Sequence, residues 1–301
     1  MLYIKAKNLT KVYYTPDAIT PIIIGQDFTI KPGTLIILTG KSGSGKTTLL
    51  KLLMREVLPD YGNIFFNELD ITKIPESKLK LIRSHIGVVF QHYRLISYKT
   101  VYQNLAFVLD IQGIPQKEQP TVIERLLRLV GLSDKKDYYP SQLSGGEQRR
   151  VSIARALATN PSILLADEPT GDLDPKNTEI IINIIRNLLN KNITVIMATH
   201  QLELIKRFTD PKIWYMERGR ILQDIDEARL KRLYFEPLDY LNKEMTPILE
   251  QLPSTIQDKL KKIMPIPLEV LKRFTPKLLK RLLHLTDEEI IIILKVLKQF
   301  N

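Results

Sequence analysis

The chain has 301 residues, enough for one large α/β domain with a small addition or for two modest domains. Its 44 basic and 33 acidic side chains leave a formal charge of +11, which favours a negative partner without choosing among nucleotide, nucleic acid and anionic membrane face. Cysteine is absent, so disulfides, zinc–thiolate sites and thiol nucleophiles are excluded, and a cytoplasmic setting is expected.

A membrane-spanning helix needs about 20 mostly apolar residues. The longest unbroken aliphatic run, Ile290 to Leu294, falls far short, and the opening MLYIKAKNLTKVYY lacks the apolar stretch of a secretory signal. Any membrane part is therefore expected from another chain.

From Leu2 to about Asp224, β-branched runs alternate with helical stretches, the pattern of an α/β domain with a mostly parallel sheet covered on both faces. The first strong strand, TLIILTG (34 to 40), runs into GKSGSGKT (40 to 47) and then a helix, KTTLLKLLMRE (46 to 56). The loop fits G-x-x-x-x-G-K-[ST] in full, between the strand and the helix that the mechanism requires. Gly40, Gly43 and Gly45 let the backbone wrap phosphates, Lys46 reaches their oxygens, and the Thr47 hydroxyl is placed for Mg²⁺.

The strand IGVVFQ (86 to 91) ends in Gln91, read either as a surface glutamine or as a contact to Mg²⁺ or the attacking water. Strand signals then vanish until Arg150, and TVYQNLAFVLDI and PTVIERLLRLVGL predict an inserted helical subdomain. LSGGEQRR (143 to 150) closes that insertion, with a serine and two glycines at a helix start, a second place where an anion would sit.

SILLAD (162 to 167) is the next apolar strand, with Asp167 at its tip and Glu168 after it. Beside a phosphate loop, Asp167 can hold the Mg²⁺ shell and Glu168 can polarise water for attack on the γ-phosphate. ITVIMATH (193 to 200) ends in His200, which is either structural or able to contact the γ-phosphate or orient Glu168.

After Asp224 the composition changes to Lys, Leu, Ile and Pro, with prolines at 237, 247, 253, 265, 267 and 276 punctuating short helices. Ser254 with Gln257, and Thr286 with Glu289, have capping-box spacing. Residues 226–301 read as a small all-helical C-terminal extension to a domain of residues 1–225. Leu278, Leu279, Leu282 and Leu283 share a helical face beside Lys277, Lys280 and Arg281, which suits either a packed bundle or an anionic membrane surface.

In this order, GKSGSGKT, Gln91, LSGGE, ILLAD with Glu168, TGDLD (170 to 174) and His200 resemble the ATP-binding cassette (ABC) ATPases. They match the Walker A loop, Q-loop, signature, Walker B strand with catalytic carboxylate, D-loop and switch histidine. The resemblance covers about residues 2–224. It implies a P-loop NTPase fold with a mixed, mostly parallel sheet core, an antiparallel β part and a helical subdomain at about 92–150. It also implies an ATP- and Mg²⁺-dependent ATPase.

For the nucleotide the resemblance implies Tyr13 on adenine and Gly40, Lys41, Ser42, Gly43, Ser44, Gly45, Lys46, Thr47 and Thr48 around the phosphates, with Gln91. Ser144, Gly145, Gly146, Glu147 and Asp174 join them, with Ser144, Gly145 and Gly146 facing the γ-phosphate of the other subunit in a head-to-tail homodimer. Glu168, His200 and Lys46 are the implied catalytic residues, and Thr47, Gln91 and Asp167 the implied Mg²⁺ ligands.

Within that branch, MREVLPDYGNIFFNELDITKI, TVYQNLAF, LSGGEQRRVSIARAL, LLADEPTGDLD and VIMATH are most similar to the FtsE family of bacterial cell-division ATPases. This implies a peripheral protein on the cytoplasmic face of the membrane beneath an FtsX-like integral partner, in a cycle controlling cell-wall hydrolases, with FtsZ as a further contact. Cassettes of lipoprotein-release, macrolide-export and solute-import transporters share much of the wording. An ATPase acting on DNA or ribosomes would carry a long insertion or a second cassette, so no nucleic acid is expected. Glu147 stands at the fifth signature position where many cassettes have glutamine, although the FtsE-like pattern LSGGEQ has glutamate there too, and Gln201 follows His200 where aspartate is frequent. The segment His92 to Tyr102 is expected to line the groove for a partner's cytoplasmic helix.

Overall fold

The computed structural model describes residues 2–14, 19–235, 247–261, 271–272 and 274–299. In chain order the strands are β1 (Ile4–Tyr14), β2 (Ile19–Ile30), β3 (Leu35–Thr39), β4 (Tyr61–Phe66), β5 (Leu69–Asp70), β6 (Ile86–Val89), β7 (Ile163–Asp167), β8 (Thr194–Ala198), β9 (Lys212–Glu217) and β10 (Arg220–Leu222). The α-helices are α1 (Lys46–Leu53), α2 (Leu79–Arg83), α3 (Val101–Gln112), α4 (Gln119–Leu129), α5 (Gly145–Leu157), α6 (Pro175–Asn190), α7 (Glu227–Phe235), α8 (Ser254–Lys261), α9 (Pro276–Leu283) and α10 (Asp287–Gln299). The α/β class is as expected, and no strand lies between 92 and 150.

The chain forms two compact units. One comprises Ile30–Thr39 and Lys73–Trp214 with the first few residues; the other comprises Lys5–Thr29, Gly40–Thr72 and the chain from Tyr215 onward.

In the first unit β3, β8, β7 and β6 lie side by side and parallel. Every residue of β3, β7 and β8 is buried, which is why these strands read as unbroken apolar runs rather than alternating ones. Their register is level at the carboxyl ends: Leu38 and Asp167 both lie opposite Ala198, and Val89 lies opposite Ala166. α5 packs on β6, α6 packs on β8, and α3, α4 and α5 pack on one another as the helical subdomain.

In the second unit the sheet order is β2, β1, β4, β5, and β9 and β10 form an antiparallel pair. α1 is shorter than its sequence pattern, because Arg55 takes a left-handed backbone (φ 56) and donates its guanidinium to the carbonyls of Ile71 and Thr72.

The C-terminal residues share this second unit. Leu252, Ile256, Leu260, Phe274, Leu279, Leu283, Ile293 and Leu297 form one buried core with Val12 and Ile24, and the Tyr61 hydroxyl donates to the Lys277 carbonyl at 3.3 Å. Leu279 and Leu283 thus spend their apolar face on packing rather than on a membrane; the side chains of Leu278 and Leu282 lie outside the described ones. The box before α10 forms, with Thr286 N–H donating to Glu289 Oε2 at 2.8 Å and Glu289 N–H to Thr286 Oγ1 at 3.2 Å. The one expected at Ser254 does not, because α8 opens at Ser254 itself and the Gln257 side chain donates to the Leu252 carbonyl. Prolines 237, 265 and 267 lie outside the described residues.

Ile293 is fully buried in this core. Ile293→Ala should lower unfolding free energy by about 2–5 kcal/mol, read from the urea midpoint at constant slope.

Candidate nucleotide site

The chain leaves β3 at Thr39 and enters the loop through Gly40 at φ 146. A Cβ on Gly40 would lie 2.2 Å from the Met216 carbonyl oxygen, and one on Gly45 (φ 100) 2.4 Å from Ile22 Cγ2, so neither position accommodates a side chain. Gly45 is the N-cap of α1, which has no side-chain cap, leaving its first amides directed at the loop. Lys46 Nζ donates to the carbonyls of Gly40 at 2.8 Å and Lys41 at 3.1 Å, folding over the loop it belongs to. Ser44 Oγ is buried without a hydrogen-bond partner. A cradle of bare backbone, a helix start and a lysine fits a triphosphate. Tyr13 stands half-exposed at the end of β1 with Lys11 Nζ 5.5 Å from its ring centre.

In the other unit the level carboxyl ends of β6, β7 and β8 bring Gln91, Asp167, Glu168 and His200 to one edge of the sheet, the usual ligand edge of such sheets. Gln91 and His200 stand two residues beyond their strands rather than at their tips. Glu168 holds φ 48, a left-handed conformation costing on the order of 1–3 kcal/mol that the surroundings must impose. Its N–H donates to the Ala198 carbonyl at 2.9 Å. His200 Nδ1 lies 2.9 Å from Glu168 Oε1, while Oε2 is buried with no partner. An ionised carboxylate only accepts, so Nδ1 carries the proton, and Oε2 keeps its capacity to take a proton from water. Asp167 is buried at the tip of β7. A carboxylate is an oxygen ligand of the kind Mg²⁺ takes, and Mg²⁺ keeps several waters and needs few protein ligands. Among the described residues no group of three or more His, Asp or Glu stands ready to hold a metal on its own.

Ser144 caps α5 rather than lying free. Its N–H and hydroxyl donate to Glu147 Oε2 at 2.8 and 2.9 Å, and Glu147 N–H donates to Ser144 Oγ. The Ser144 backbone N–H, chiefly, holds the Glu147 carboxyl below the usual range. Gly146 lets the Asn177 side chain pack close, since a Cβ there would lie 2.5 Å from its amide carbon. Asp174 caps α6, accepting from Asn177 N–H at 2.9 Å, and Asn177 also meets Arg150. The Thr170 hydroxyl donates to Gln201 Oε1 at 3.0 Å, so the glutamine in the departing position joins the 170–174 segment to the turn after β8.

Two arginines to which the motif reading gave no role organise this half. Buried Arg149 donates to the carbonyls of Phe90 at 2.7 Å and Gln91 at 3.0 Å, with its guanidinium 4.8 Å from the Tyr93 ring centre. Arg155 donates to the carbonyls of Arg94 and Tyr93. The signature helix thereby carries the backbone of residues 90–94. The signal was available: three arginines, Arg149, Arg150 and Arg155, stand in and beside the apolar run VSIARAL, and arginines that a helix buries require partners. Among the described residues the buried side-chain polar atoms without partners are Ser44 Oγ, Arg149 Nε, Arg150 Nε and Glu168 Oε2, all in or beside these motifs.

Residues 24–171 match the family model described as ABC transporter. The methionine import ATP-binding protein MetN of Bordetella avium is 39% identical over 80% of this chain, which spans just under two thirds (66%) of that protein. MetN of Halalkalibacterium halodurans is 33% identical over 86% of the chain and 76% of its own length. The chain belongs to the ABC transporter ATPases. Among solved structures the ATP-binding cassette MJ0796, described as dimeric in a post-hydrolysis state with ADP and phosphate, superposes with a TM-score of 0.67 at 31% identity. That match covers 74% of this chain and 99% of the cassette. The protein is therefore an ATP-hydrolysing cassette of P-loop fold. The finer likeness to the FtsE family gains no support, and the relatives favour the solute-import alternative.

Two outcomes follow for this cassette. Arg149→Lys should lower kcat by at least about tenfold, because one ammonium cannot reproduce two forked bonds to Phe90 and Gln91. The Glu147 contribution to stability is present above the ordinary carboxylate range and lost as pH falls through its depressed folded value, so the Tm gap between wild type and Glu147→Gln should close in acid.

Proposed function

We propose that the chain is the ATP-binding subunit of an ABC importer for a small solute of the methionine class, working as a homodimer beneath an integral membrane permease. The carrying observation is the series of methionine-import relatives at 33–39% identity over 78–86% of this chain. Among the described residues no helix is long and apolar enough to cross a membrane. In this reading the permease is a separate chain and this one is peripheral on the cytoplasmic face. Residues 1–225 are the cassette and 226–301 its extension.

In this reading residues 40–48 hold the phosphates of ATP and Tyr13 its adenine. Thr47, Gln91 and Asp167 hold Mg²⁺, which neutralises developing phosphate charge when bound. Glu168 takes the proton of the attacking water at Oε2, oriented through Oε1 by His200, as its geometry permits. Ser144, Gly145 and Gly146 at the start of α5 meet the γ-phosphate held by the second copy, so ATP closes the pair and hydrolysis loosens it.

The permease is met by residues 92–102. Asn104 holds this loop from inside: its Oδ1 accepts from Ile96 N–H at 2.8 Å, and its amide reaches the carbonyls of Ile96, Lys99 and Thr100. Tyr98 is left 77% exposed at the tip. The cell-division reading, with FtsX- and FtsZ-type partners, rests on motif wording alone and is the weaker.

Lys46→Ala should lose ATP binding in equilibrium titration, whereas Glu168→Gln should bind ATP, lose turnover by about 10²-fold or more, and accumulate as a dimer on gel filtration. Co-purification of the chain with its permease and uptake of labelled methionine would separate import from division. A stable FtsX-like partner without uptake overturns the import reading.

A further inference from the structure

We infer that α7, the helix that follows the last strand of the cassette, is a support of the phosphate loop, with Tyr234 as a positioning residue for ATP binding. The inference rests on reading residues 40–47 as the ATP phosphate site. Gly40 N–H donates to the Tyr234 hydroxyl at 3.0 Å, a bond between residues 194 apart in the chain. Gly40 is the joint between β3 and the loop, held at φ 146 with the Met216 carbonyl pressed against it. The carbonyl of the same residue accepts from Lys46 Nζ. Tyr234 therefore anchors one side of a residue whose other side parks the loop lysine.

A second tie runs through the same cluster. The Tyr234 ring meets buried Tyr215 edge-on, with centres 5.5 Å apart and planes at 66°. The Tyr215 hydroxyl lies 3.3 Å from both Glu217 Oε2 and the Leu233 carbonyl of α7. Glu217 Oε1 in turn pairs with Lys41 Nζ at 3.6 Å. The first two residues of the phosphate loop are thus both referred to α7, Gly40 through Tyr234 and Lys41 through Glu217 and Tyr215.

A loop that must wrap a polyanion with its backbone gains affinity when its conformation is set beforehand, because less ordering remains to be done on binding. Tyr234 lies in the extension by composition, yet its hydroxyl acts on the loop. The extension therefore contributes to ATP affinity rather than only to the bulk of the protein.

The test uses the full chain. Tyr234→Phe keeps the ring and its contact with Tyr215 and removes only the hydroxyl acceptor. Kd and KM for ATP should rise by a factor of about 3 to 10, the weight of one neutral hydrogen bond. kcat should stay within about twofold, because the effect falls on binding. Leu230→Val, buried in the same helix, should lower Tm without moving KM. Glu217→Gln, which weakens the tie to Lys41, should raise KM in the same direction as Tyr234→Phe. An unchanged KM in Tyr234→Phe while Lys46→Ala loses ATP overturns the positioning role and leaves the loop reading standing. Normal ATP binding by Lys46→Ala overturns both. A KM rise in Leu230→Val equal to that in Tyr234→Phe assigns the effect to helix packing and overturns the role of the hydroxyl.

Discussion

In the parallel sheet Leu38 and Asp167 both stand opposite Ala198, and Val89 opposite Ala166, so neighbouring strands end level at their carboxyl edge. A level edge makes the chemistry possible. It sets the turn after β6, the carboxylate after β7 and the histidine after β8 side by side, although 32 residues separate Glu168 from His200. β3, β7 and β8 are buried over their full length, so a slip in register would bury the polar tip or expose apolar core. The core therefore enforces the alignment, and the Glu168–His200 contact inherits its precision from apolar packing.

On that edge the turn after β6 is held by side chains that reach its backbone. Arg149 and Arg155 leave the signature helix and end on the carbonyls of residues 90, 91, 93 and 94. Burial pulls both guanidinium pKa values down, with desolvation the leading cause. The carbonyls supply hydrogen bonds that offset the cost of burying these cations. The signature helix and the turn after β6 are in this way one mechanical piece, and a shift of one must move the other. That is the property a cassette needs if events at phosphate are to reach a permease.

The C-terminal extension is tied into the second unit at two levels. Its apolar faces share a core with Val12 and Ile24, next in sequence to the strand-end tyrosine, and α7 reaches the phosphate loop through Tyr234. The basic amphipathic look of PKLLKRLL is explained by packing: Leu279 and Leu283 are buried while Lys280 pairs with Asp287 at 2.7 Å. The last helix is apolar nearly all round, and the structure uses Ile290, Ile293, Val296 and Leu297 for the core while Ile291 and Ile292 remain exposed.

The sequence by itself determined the local parts. GKSGSGKT carries its glycines at the spacing a phosphate loop needs, the strands announce themselves as continuous apolar runs, and Thr286 with Glu289 forms the capping box its spacing implies. These features depend on neighbours within a few residues, so spacing points to them, although the same spacing at Ser254 and Gln257 forms no box because the helix opens at Ser254 itself. Only the tertiary structure decided that Gly146 makes room for Asn177, that Asn104 braces the 96–100 turn, and that Tyr234 holds Gly40. In most of these the partner is a backbone amide or carbonyl. Every residue but proline carries both groups, so the chain's spelling holds no record of which one will be met, and only folding brings the particular carbonyl and donor together.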